Sequence, residues 1–311
     1  MILTDYFRYP KDSTWDIARQ CGITHGVIRL PETKEFDLTN ENHWKQVYHD
    51  FMEFGIKPMI IEPMPNELHD HIKAGDEKRD ECIDKVIQMF PIMEQLDIRC
   101  ICFNWMAHIG WYRNQTHVER GGATVTGFSM EKFVPTDACI TEQELWDNYK
   151  YFLKAVLPYA EKYGIRLALH PDDPPMNLGK VARIMTSYKN IDRAVNHIVK
   201  SDSLGATFCQ ANFHIMGEDL QQVIPALAEK IFFVHFRNVT GTKEEFRETF
   251  HDNGDISMAE IMKIYREYGV DVPIRVDHVP TLVGEHSNVA GYDALGRLYA
   301  IGYLKGILEG I

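Results

Sequence analysis

The sequence predicts an α/β protein, and within that class a (βα)8 TIM barrel. Short apolar runs rich in β-branched and aromatic residues alternate with polar loops and amphipathic stretches along the chain. This alternation is typical of parallel strands joined by crossover helices. Eight such runs can be counted, and eight is the number of strands that closes a barrel. The GxGxxG turn of many doubly wound sheets does not occur, which favours the barrel over an open sheet.

The predicted strands recur along the chain at the spacing of βα units. Several follow a predicted helix that ends in glycine, as in FGIKPMII, YGIRLAL and YGVDVPIRV. In chain order the predicted strands are MILTDYF (1–7), HGVIRL (25–30), KPMIIEP (57–63), RCICFNW (99–105), RLALHP (166–171), GATFCQ (205–210), IFFVHFRN (231–238) and VPIRVDH (272–278).

Two of the connecting segments carry clear helix signals. Residues 141–164 place apolar side chains every three or four positions and end in glycine. Residues 257–269 repeat the pattern, with Ser257 placed as an N-cap and Gly269 just past the C-cap. Both segments therefore predict amphipathic helices that pack against the barrel.

One connection is too long to be a plain link. Residues 106–139 follow the fourth predicted strand, and we expect them to form a loop insertion over the barrel mouth. No linker of low complexity separates a second domain. Residues 1–311 are therefore predicted to form a single catalytic domain.

Composition and charge argue against several classes of protein. The formal net charge of −12 over 311 residues disfavours a nucleic-acid partner, which needs clustered Lys and Arg. The chain shows no signal-peptide pattern and no apolar run long enough for a membrane span. Its six cysteines show no CxxC pair and no disulfide-framework spacing. These features predict a protein of the reducing cytoplasm.

Four polar residues lie at the ends of four successive predicted strands. They are His170, Cys209, His235 and Asp277. Taken singly, each has an ordinary structural explanation, such as a buried cysteine or a histidine bonded to the backbone. The carboxyl ends of barrel strands form the active sites of TIM barrels, so four equivalent positions favour one shared site. Two imidazoles, a thiolate and a carboxylate suit Mn, Fe, Co or Zn better than Mg or Ca.

Further polar side chains are predicted near the same rim. They are Arg237, His278, Arg8, Asn104 and Arg113. Arg237 lies two residues past His235, on the same face of its strand, and an arginine at a pocket mouth can clamp a carboxylate. Asp172 and Asp173, in the proline-rich loop after the fifth strand, have three open roles: metal support, substrate contact or turn formation.

Five motifs make the chain resemble the mannonate dehydratase family, metal-dependent enzymes with a xylose-isomerase-like barrel. They are HDHIKAGDEKRDE (69–81), HPDDPP (170–175), FVHFRNV (233–239), RVDH (275–278) and GYDALGRLYAIGYLKGILE (291–309). The resemblance covers nearly the whole chain. It implies a Mn²⁺ or Fe²⁺ ion on the four strand-end residues named above, and an acid/base pair formed by His278 and Tyr292. It also implies a sugar-acid substrate and a homo-oligomer.

The implied reaction is the dehydration of D-mannonate to 2-dehydro-3-deoxy-D-gluconate. One group must take the C2 proton and another must protonate the leaving C3 hydroxyl, while the metal acts as a Lewis acid. The resemblance assigns these two tasks to His278 and Tyr292 without saying which residue is the base. Arg237 is expected to hold the substrate carboxylate, and Arg8, Asn104 and Arg113 are expected to contact the substrate.

The chain departs from the family pattern after the proposed cysteine ligand. Gln210, Asn212 and His214 stand where the family usually has a Thr-Gly-Ser-like turn, and Val276 stands where a proline is often found. We expect these positions to lie where the substrate sits. A dehydratase of another aldonic acid is therefore an alternative function.

Two other functions remain open from the sequence. A sugar isomerase or epimerase on the same barrel would use carboxylates as ligands, and Glu62 ends a strand suitably, but a thiolate ligand does not fit that chemistry. A non-catalytic sugar-acid binder would keep the pocket and lose the reaction. The presence of both His278 and Tyr292 argues against a binder.

Overall fold

The computed structural model describes residues 1–286 and 289–310. Eight parallel strands close into a barrel in the order β1-β12-β9-β8-β7-β4-β3-β2, so the predicted fold class and all eight predicted strands are confirmed. In chain order the strands are β1 (Ile2–Phe7), β2 (His25–Ile28), β3 (Lys57–Ile61), β4 (Cys100–Phe103), β5 (Gln115–Val118), β6 (Thr124–Ser129), β7 (Arg166–Leu169), β8 (Leu204–Cys209), β9 (Ile231–His235), β10 (Val239–Gly241), β11 (Glu245–Glu248) and β12 (Pro273–Arg275).

The helices alternate with the barrel strands. They are α1 (Ser13–Gln20), α2 (Glu41–Glu53), α3 (Asn66–Ala74), α4 (Arg79–Gln95), α5 (Glu142–Tyr163), α6 (Tyr188–Asp192), α7 (Gln210–Ile215), α8 (Leu220–Leu227), α9 (Met258–Glu267) and α10 (Ala294–Gly310). Across residues 1–286 and 289–310, no helix combines the length and apolar character needed to cross a membrane.

The hydrophobic core has two parts, because successive strand residues face opposite sides of the barrel wall. Phe7 and Ile61 belong to a large cluster that also contains the buried faces of the helices. Tyr6 and Ile60, one position earlier, belong to a smaller cluster made of strand residues. The larger cluster therefore fixes the helices on the barrel, and the smaller one fills its interior.

Both helices predicted in detail are present. Thr141 caps α5 in a capping box with Glu144, and Gly164 ends the helix in the left-handed region at φ 62°. Helix α9 starts directly after Ser257, although the Ser257 side chain makes no capping hydrogen bond. Gly269 follows that helix at φ 69°.

The insertion after the fourth strand is not a loop throughout. Residues 106–139 contain β5 and β6, which pair with each other in antiparallel fashion. Strand β6 also pairs with β11, and β11 pairs with β10, giving a second sheet in the order β10-β11-β6-β5. Half of this sheet comes from the segment after β9, for which the sequence predicted no strand. The insertion is thus one half of a structured layer beside the barrel.

Candidate active site

A cavity of about 400 Å³ opens where the barrel strands end. We call β1 to β4 with their following segments the first half of the rim, and β7, β8, β9 and β12 with theirs the second half. Lining residues from the first half include Tyr6, Arg8, Arg29, Glu62, Asn66, Asp70, Lys73 and Asn104. Lining residues from the second half include His170, Asp173, His235, Arg275, Asp277, His278 and Tyr292. Most of the predicted site residues therefore meet at one cavity.

Three of the four predicted metal ligands form one cluster. Ligand atoms of His170, Cys209 and His235 all lie within 4.8 Å of one another. Strand register explains part of this, because Cys209 is the direct partner of His235 across β8 and β9. His170 follows β7, where its backbone N–H donates to the Phe103 carbonyl at 2.7 Å.

Hydrogen bonds aim the free nitrogens of both histidines into this cluster. His170 Nδ1 donates to the Pro171 carbonyl at 2.7 Å, which leaves the Nε2 lone pair free. His235 Nε2 lies 3.1 Å from the Glu62 carboxylate and 3.2 Å from Arg275 Nε. Arg275 already forms ion pairs with Glu62 and Asp277. We therefore place the His235 proton on Nε2, which donates it to the Glu62 carboxylate, and the Nδ1 lone pair is left free.

The two free nitrogens lie 3.1 Å apart. Facing lone pairs repel unless a cation or a proton lies between them, and 3.1 Å is compatible with two bonds of about 2.1 Å to one ion. Burial and Arg275 disfavour a charged His235, but the carboxylates of Glu62 and Asp277 raise its pKa well above the usual value. A proton and a metal ion would therefore compete for His235 Nδ1. The donor set fits a divalent transition ion.

The Cys209 side chain supplies the thiolate of this cluster. Burial alone would raise its pKa, but the positive charge of Arg237 and the contacts with His170 and His235 lower it to about 5. The side chain is fully buried, and Sγ lies 3.0 Å from Asn212 Oδ1. A buried thiolate beside two imidazoles is a suitable donor for a divalent transition ion.

A second group, made of Glu62, Cys102 and His235, also has ligand atoms within 4.8 Å. Burial raises the pKa of Cys102 to about 12, so this thiol stays protonated. The guanidinium of Arg275 lies 3.0 Å from the Glu62 carboxylate. A neutral thiol and an adjacent cation disfavour a metal ion there, so the first cluster is the candidate metal centre.

Asp277, the fourth predicted ligand, lies at the edge of the cluster. Its carboxylate is 3.5 Å from His235 Nδ1 and is held by Arg237 Nε at 2.9 Å and Arg275 Nη2 at 2.8 Å. The backbone of Asp277 is in the left-handed region at φ 57°, an uncommon conformation that orients this side chain. In the described part of the chain, the four predicted ligands do not form one group within 4.8 Å.

His278 and Tyr292, the predicted acid/base pair, are in direct contact at the cavity wall. His278 Nε2 lies 3.1 Å from the Tyr292 hydroxyl, and Nδ1 lies 2.7 Å from the Glu248 carboxylate. Burial disfavours a charged Glu248, but His278 and two arginines hold its pKa well below the usual range. Burial raises the pKa of Tyr292. His278 therefore donates from Nδ1 to Glu248, and the phenol donates to Nε2.

Two predicted substrate-binding arginines lie in a buried ion-pair network. Arg113 forms a bidentate pair with Asp173 at 2.6 and 2.8 Å and contacts Glu248 at 2.7 Å. Arg237 contacts Asp173 and Glu248, both at 2.7 Å, and also bonds Asn212. Neither arginine lines the cavity. The network therefore joins the loop after β7, the insertion and the second sheet.

Comparison with known proteins identifies the family. The family model described as "D-mannonate dehydratase (UxuA)" matches residues 10–138 and 129–311. The chain belongs to the D-mannonate dehydratase family. A mannonate dehydratase of Streptococcus uberis is 30% identical, with 96% of this chain and 94% of the relative covered. The crystal structure of mannonate dehydratase from Streptococcus suis serotype 2 superposes with a TM-score of 0.90 at 26% identity, covering 100% of this chain and 93% of that one.

Other solved barrels share the fold alone. An L-ribulose 3-epimerase matches with a TM-score of 0.64 at 14% identity, too low an identity to carry function. Mannonate dehydratases are metal-dependent hydro-lyases, so the family, the enzyme class and the reaction predicted from the sequence are confirmed. The metal requirement agrees with the histidine and cysteine cluster of this chain.

The departures from the mannonate dehydratase pattern do not lie in the substrate cavity, contrary to expectation. Gln210 is fully buried and bonds Met258 and Tyr265. Asn212 donates to the Asp172 carbonyl at 2.7 Å. His214 and Val276 are also absent from the cavity wall. None of the four residues lines the cavity, and Asn212 contacts Cys209 of the histidine and cysteine cluster.

The sequence missed several polar residues of this mannonate dehydratase site. They are Arg29, Lys73, Glu248 and Arg275, together with Glu62, which was considered only for an isomerase. Lys73 lies in the 69–81 motif and Arg275 opens RVDH, so the family motifs were a usable signal for both. Glu248 lies on a strand that the sequence did not predict. The roles of Asp172 and Asp173 are now separable: Asp172 accepts from two backbone N–H groups, and Asp173 pairs with arginines.

Proposed function

We propose that this protein removes water from D-mannonate, giving 2-dehydro-3-deoxy-D-gluconate, with a divalent metal bound at the second half of the rim. The observation that carries the proposal is the meeting of two sets of groups at one cavity. His170 and His235 of the metal cluster line this cavity with Cys209 buried beside them, and an imidazole–phenol pair lies on the same cavity wall. Metal-assisted dehydration needs both sets.

His170, Cys209 and His235 would hold the ion, with Asp277 as the fourth ligand at the edge of the cluster. The mixed nitrogen, sulfur and oxygen donors suit Mn²⁺ or Fe²⁺ better than Mg²⁺. When bound, the ion supplies a Lewis acid that stabilises the negative charge developing on the substrate as the C2 proton leaves. The Glu62 and Pro171 contacts hold one N–H of each histidine away from the cluster, so that His235 Nδ1 and His170 Nε2 face the ion.

His278 acts as the base and Tyr292 as the acid. The Nε2 lone pair of His278 takes the C2 proton, and the phenol, which is protonated because burial raises its pKa, gives its proton to the C3 hydroxyl as it leaves as water. The proton on His278 Nε2 then returns to the phenolate across the 3.1 Å contact. Both residues thereby regain their starting protonation states within one turnover.

The first half of the rim would bind the remainder of the substrate. Lys73 is almost completely buried, with Nζ 2.9 Å from Asp70 and 3.4 Å from Asn104. Arg8 is exposed at the cavity mouth. A hexonate offers one carboxylate and several hydroxyls, which cations and amides can bind. Because Arg113 and Arg237 are engaged with buried carboxylates, we assign substrate contact to Lys73, Asn104 and Arg8 instead.

The test is a reconstitution assay. Protein stripped by a chelator is reloaded with Mn²⁺, Fe²⁺ under anaerobic conditions, or Mg²⁺, and incubated with D-mannonate and with other aldonates. We expect 2-keto-3-deoxy acid from D-mannonate with Mn²⁺ or Fe²⁺ and little with Mg²⁺. Product from another aldonate alone would overturn the substrate and keep the reaction. An epimerised sugar without loss of water would overturn the reaction itself.

A further inference from the structure

The second sheet contributes a carboxylate to the acid/base pair. Glu248 ends β11 and is 3% exposed. Its Oε1 lies 2.7 Å from His278 Nδ1. His278 follows barrel strand β12, whereas β11 pairs with β10 and β6. Two layers of the protein therefore meet at this contact beside the cavity.

The hydrogen bonds around Glu248 fix the orientation and the charge of its carboxylate. Its Oε1 accepts from Arg113 Nη2 and Arg237 Nη1, both at 2.7 Å, and its Oε2 accepts from Thr126 Oγ1 at 2.8 Å. Two guanidinium groups keep the carboxylate ionised, and an ionised carboxylate only accepts hydrogen bonds. The imidazole of His278 must therefore present a proton at Nδ1.

We propose that Glu248 is a positioning residue for the dehydration, which holds His278 in the Nδ1–H tautomer so that Nε2 can accept the C2 proton. The inference rests on the proposed function, in which His278 is the base. A histidine with its proton on Nε2 could neither accept from the Tyr292 phenol nor take a substrate proton there.

This role gives the insertion and the second sheet a part in the reaction. Arg113 and Thr126 come from residues 106–139, and both bind the Glu248 carboxylate. Strand β6 fixes the register of β11 through the pair Phe246 and Phe128. The sheet therefore sets the distance between Glu248 and His278, and with it the orientation of the imidazole.

The kinetic test compares Glu248→Gln with Glu245→Gln. Both changes remove one carboxylate from β11 and keep the side-chain size, but Glu245 is exposed and Glu248 is buried. We expect Glu248→Gln to lower kcat on D-mannonate about 100-fold, while KM stays within about threefold and the Mn²⁺ content stays at the native level. Glu245→Gln should match the native enzyme. A kcat of Glu248→Gln within about threefold of native would overturn the proposal.

A spectroscopic test does not depend on activity. Nitrogen-15 NMR of the full chain loaded with Zn²⁺, a diamagnetic ion, reports which imidazole nitrogen carries the proton, and the His278 signals are assigned by their loss in His278→Asn. We expect Nδ1 protonated and Nε2 unprotonated in the native chain, and loss of this single tautomer in Glu248→Gln. A native His278 protonated at Nε2 alone would overturn the proposal.

The two tests separate this inference from the proposed function. If the native enzyme does not dehydrate D-mannonate, the proposed function fails, and the tautomer measurement still decides the role of Glu248. If Glu248→Gln does not fold, Glu248→Asp is tested instead, because it keeps the negative charge on a shorter side chain. We then expect kcat to fall with KM and metal content unchanged, and native values for all three would overturn the proposal.

Discussion

The two halves of the barrel rim differ in how their polar side chains are engaged. In the second half, His235, Asp277 and His278 are buried and each contacts several charged or polar partners. In the first half, Arg8 is exposed, and among residues 1–286 and 289–310 its guanidinium has no hydrogen bond or ion pair. Groups that hold an ion or move a proton must be fixed in place, whereas groups that receive a substrate keep donors available. Glu62 and Lys73 of the first half are buried and ion-paired like the second half, so the contrast rests on Arg8.

The largest effect should come from the metal cluster of the second half. Cys209→Ser keeps the size of the side chain but replaces a thiolate with a neutral hydroxyl. We expect Mn²⁺ affinity to fall more than about 100-fold, because loss of a ligand should exceed the 10- to 100-fold cost of losing an outer partner, and activity should fall with it. Titration of the chelator-stripped protein measures the affinity. Cys100→Ser, at another buried cysteine, should bind Mn²⁺ as tightly as the native protein does. If Cys209→Ser also bound Mn²⁺ with native affinity, Cys209 would not be a metal ligand.

The acid/base pair should give the next largest effect. His278→Asn removes the proposed base and leaves the metal cluster in place. We expect kcat to fall by a factor of about 10² to 10⁴, the usual contribution of a positioned acid or base, with the metal retained. Steady-state kinetics and metal analysis on one preparation measure both quantities. His49→Asn, at an exposed position on α2, is the control. If His278→Asn were fully active, a residue other than His278 would be the base.

The second half of the rim could be predicted from the sequence because its signals are local. Each of His170, Cys209 and His235 ends or follows a strand that is continuous and apolar, and parallel strands bring their carboxyl ends together. Asp277 was predicted at the right place but not with its left-handed backbone or its two arginine partners. Those features depend on packing between distant segments, which no local pattern encodes.

The second sheet could not be predicted for the same physical reason. Strands β5 and β11, QTHV and EFRE, are four residues long with little apolar character, and β6 finds its partner β11 more than a hundred positions away. Arg237 was predicted to reach the substrate because it shares a strand face with His235. Its actual partners, Asp173 and Glu248, come from a loop and from this sheet.

In the first half of the rim, Lys73 should affect substrate binding more than turnover. Lys73→Met removes a buried ammonium and keeps the length of the side chain. A hydrogen bond to a charged group contributes about 1.5–3 kcal/mol, so we expect kcat/KM to fall about 10- to 100-fold, mostly through KM. Steady-state kinetics with D-mannonate measure both constants. Lys85→Met, at a partly exposed lysine paired with Glu81, is the matched control. A loss of kcat with unchanged KM would place Lys73 among the catalytic groups.

Arg8 should give the smallest effect, and one that depends on salt. Its exposed guanidinium acts on an anionic substrate through solvent, where charge interactions contribute at most about 1 kcal/mol. Arg8→Gln should therefore raise KM by about threefold at low ionic strength, and the difference should fade as added salt shortens the screening length. The matched control is Arg166→Gln, an exposed arginine at the start of β7, which is the opposite end of the barrel from the cavity. If Arg8→Gln instead lowered kcat at all salt concentrations, Arg8 would be as closely engaged with the reacting substrate as the second half of the rim, and the division between the two halves would not hold.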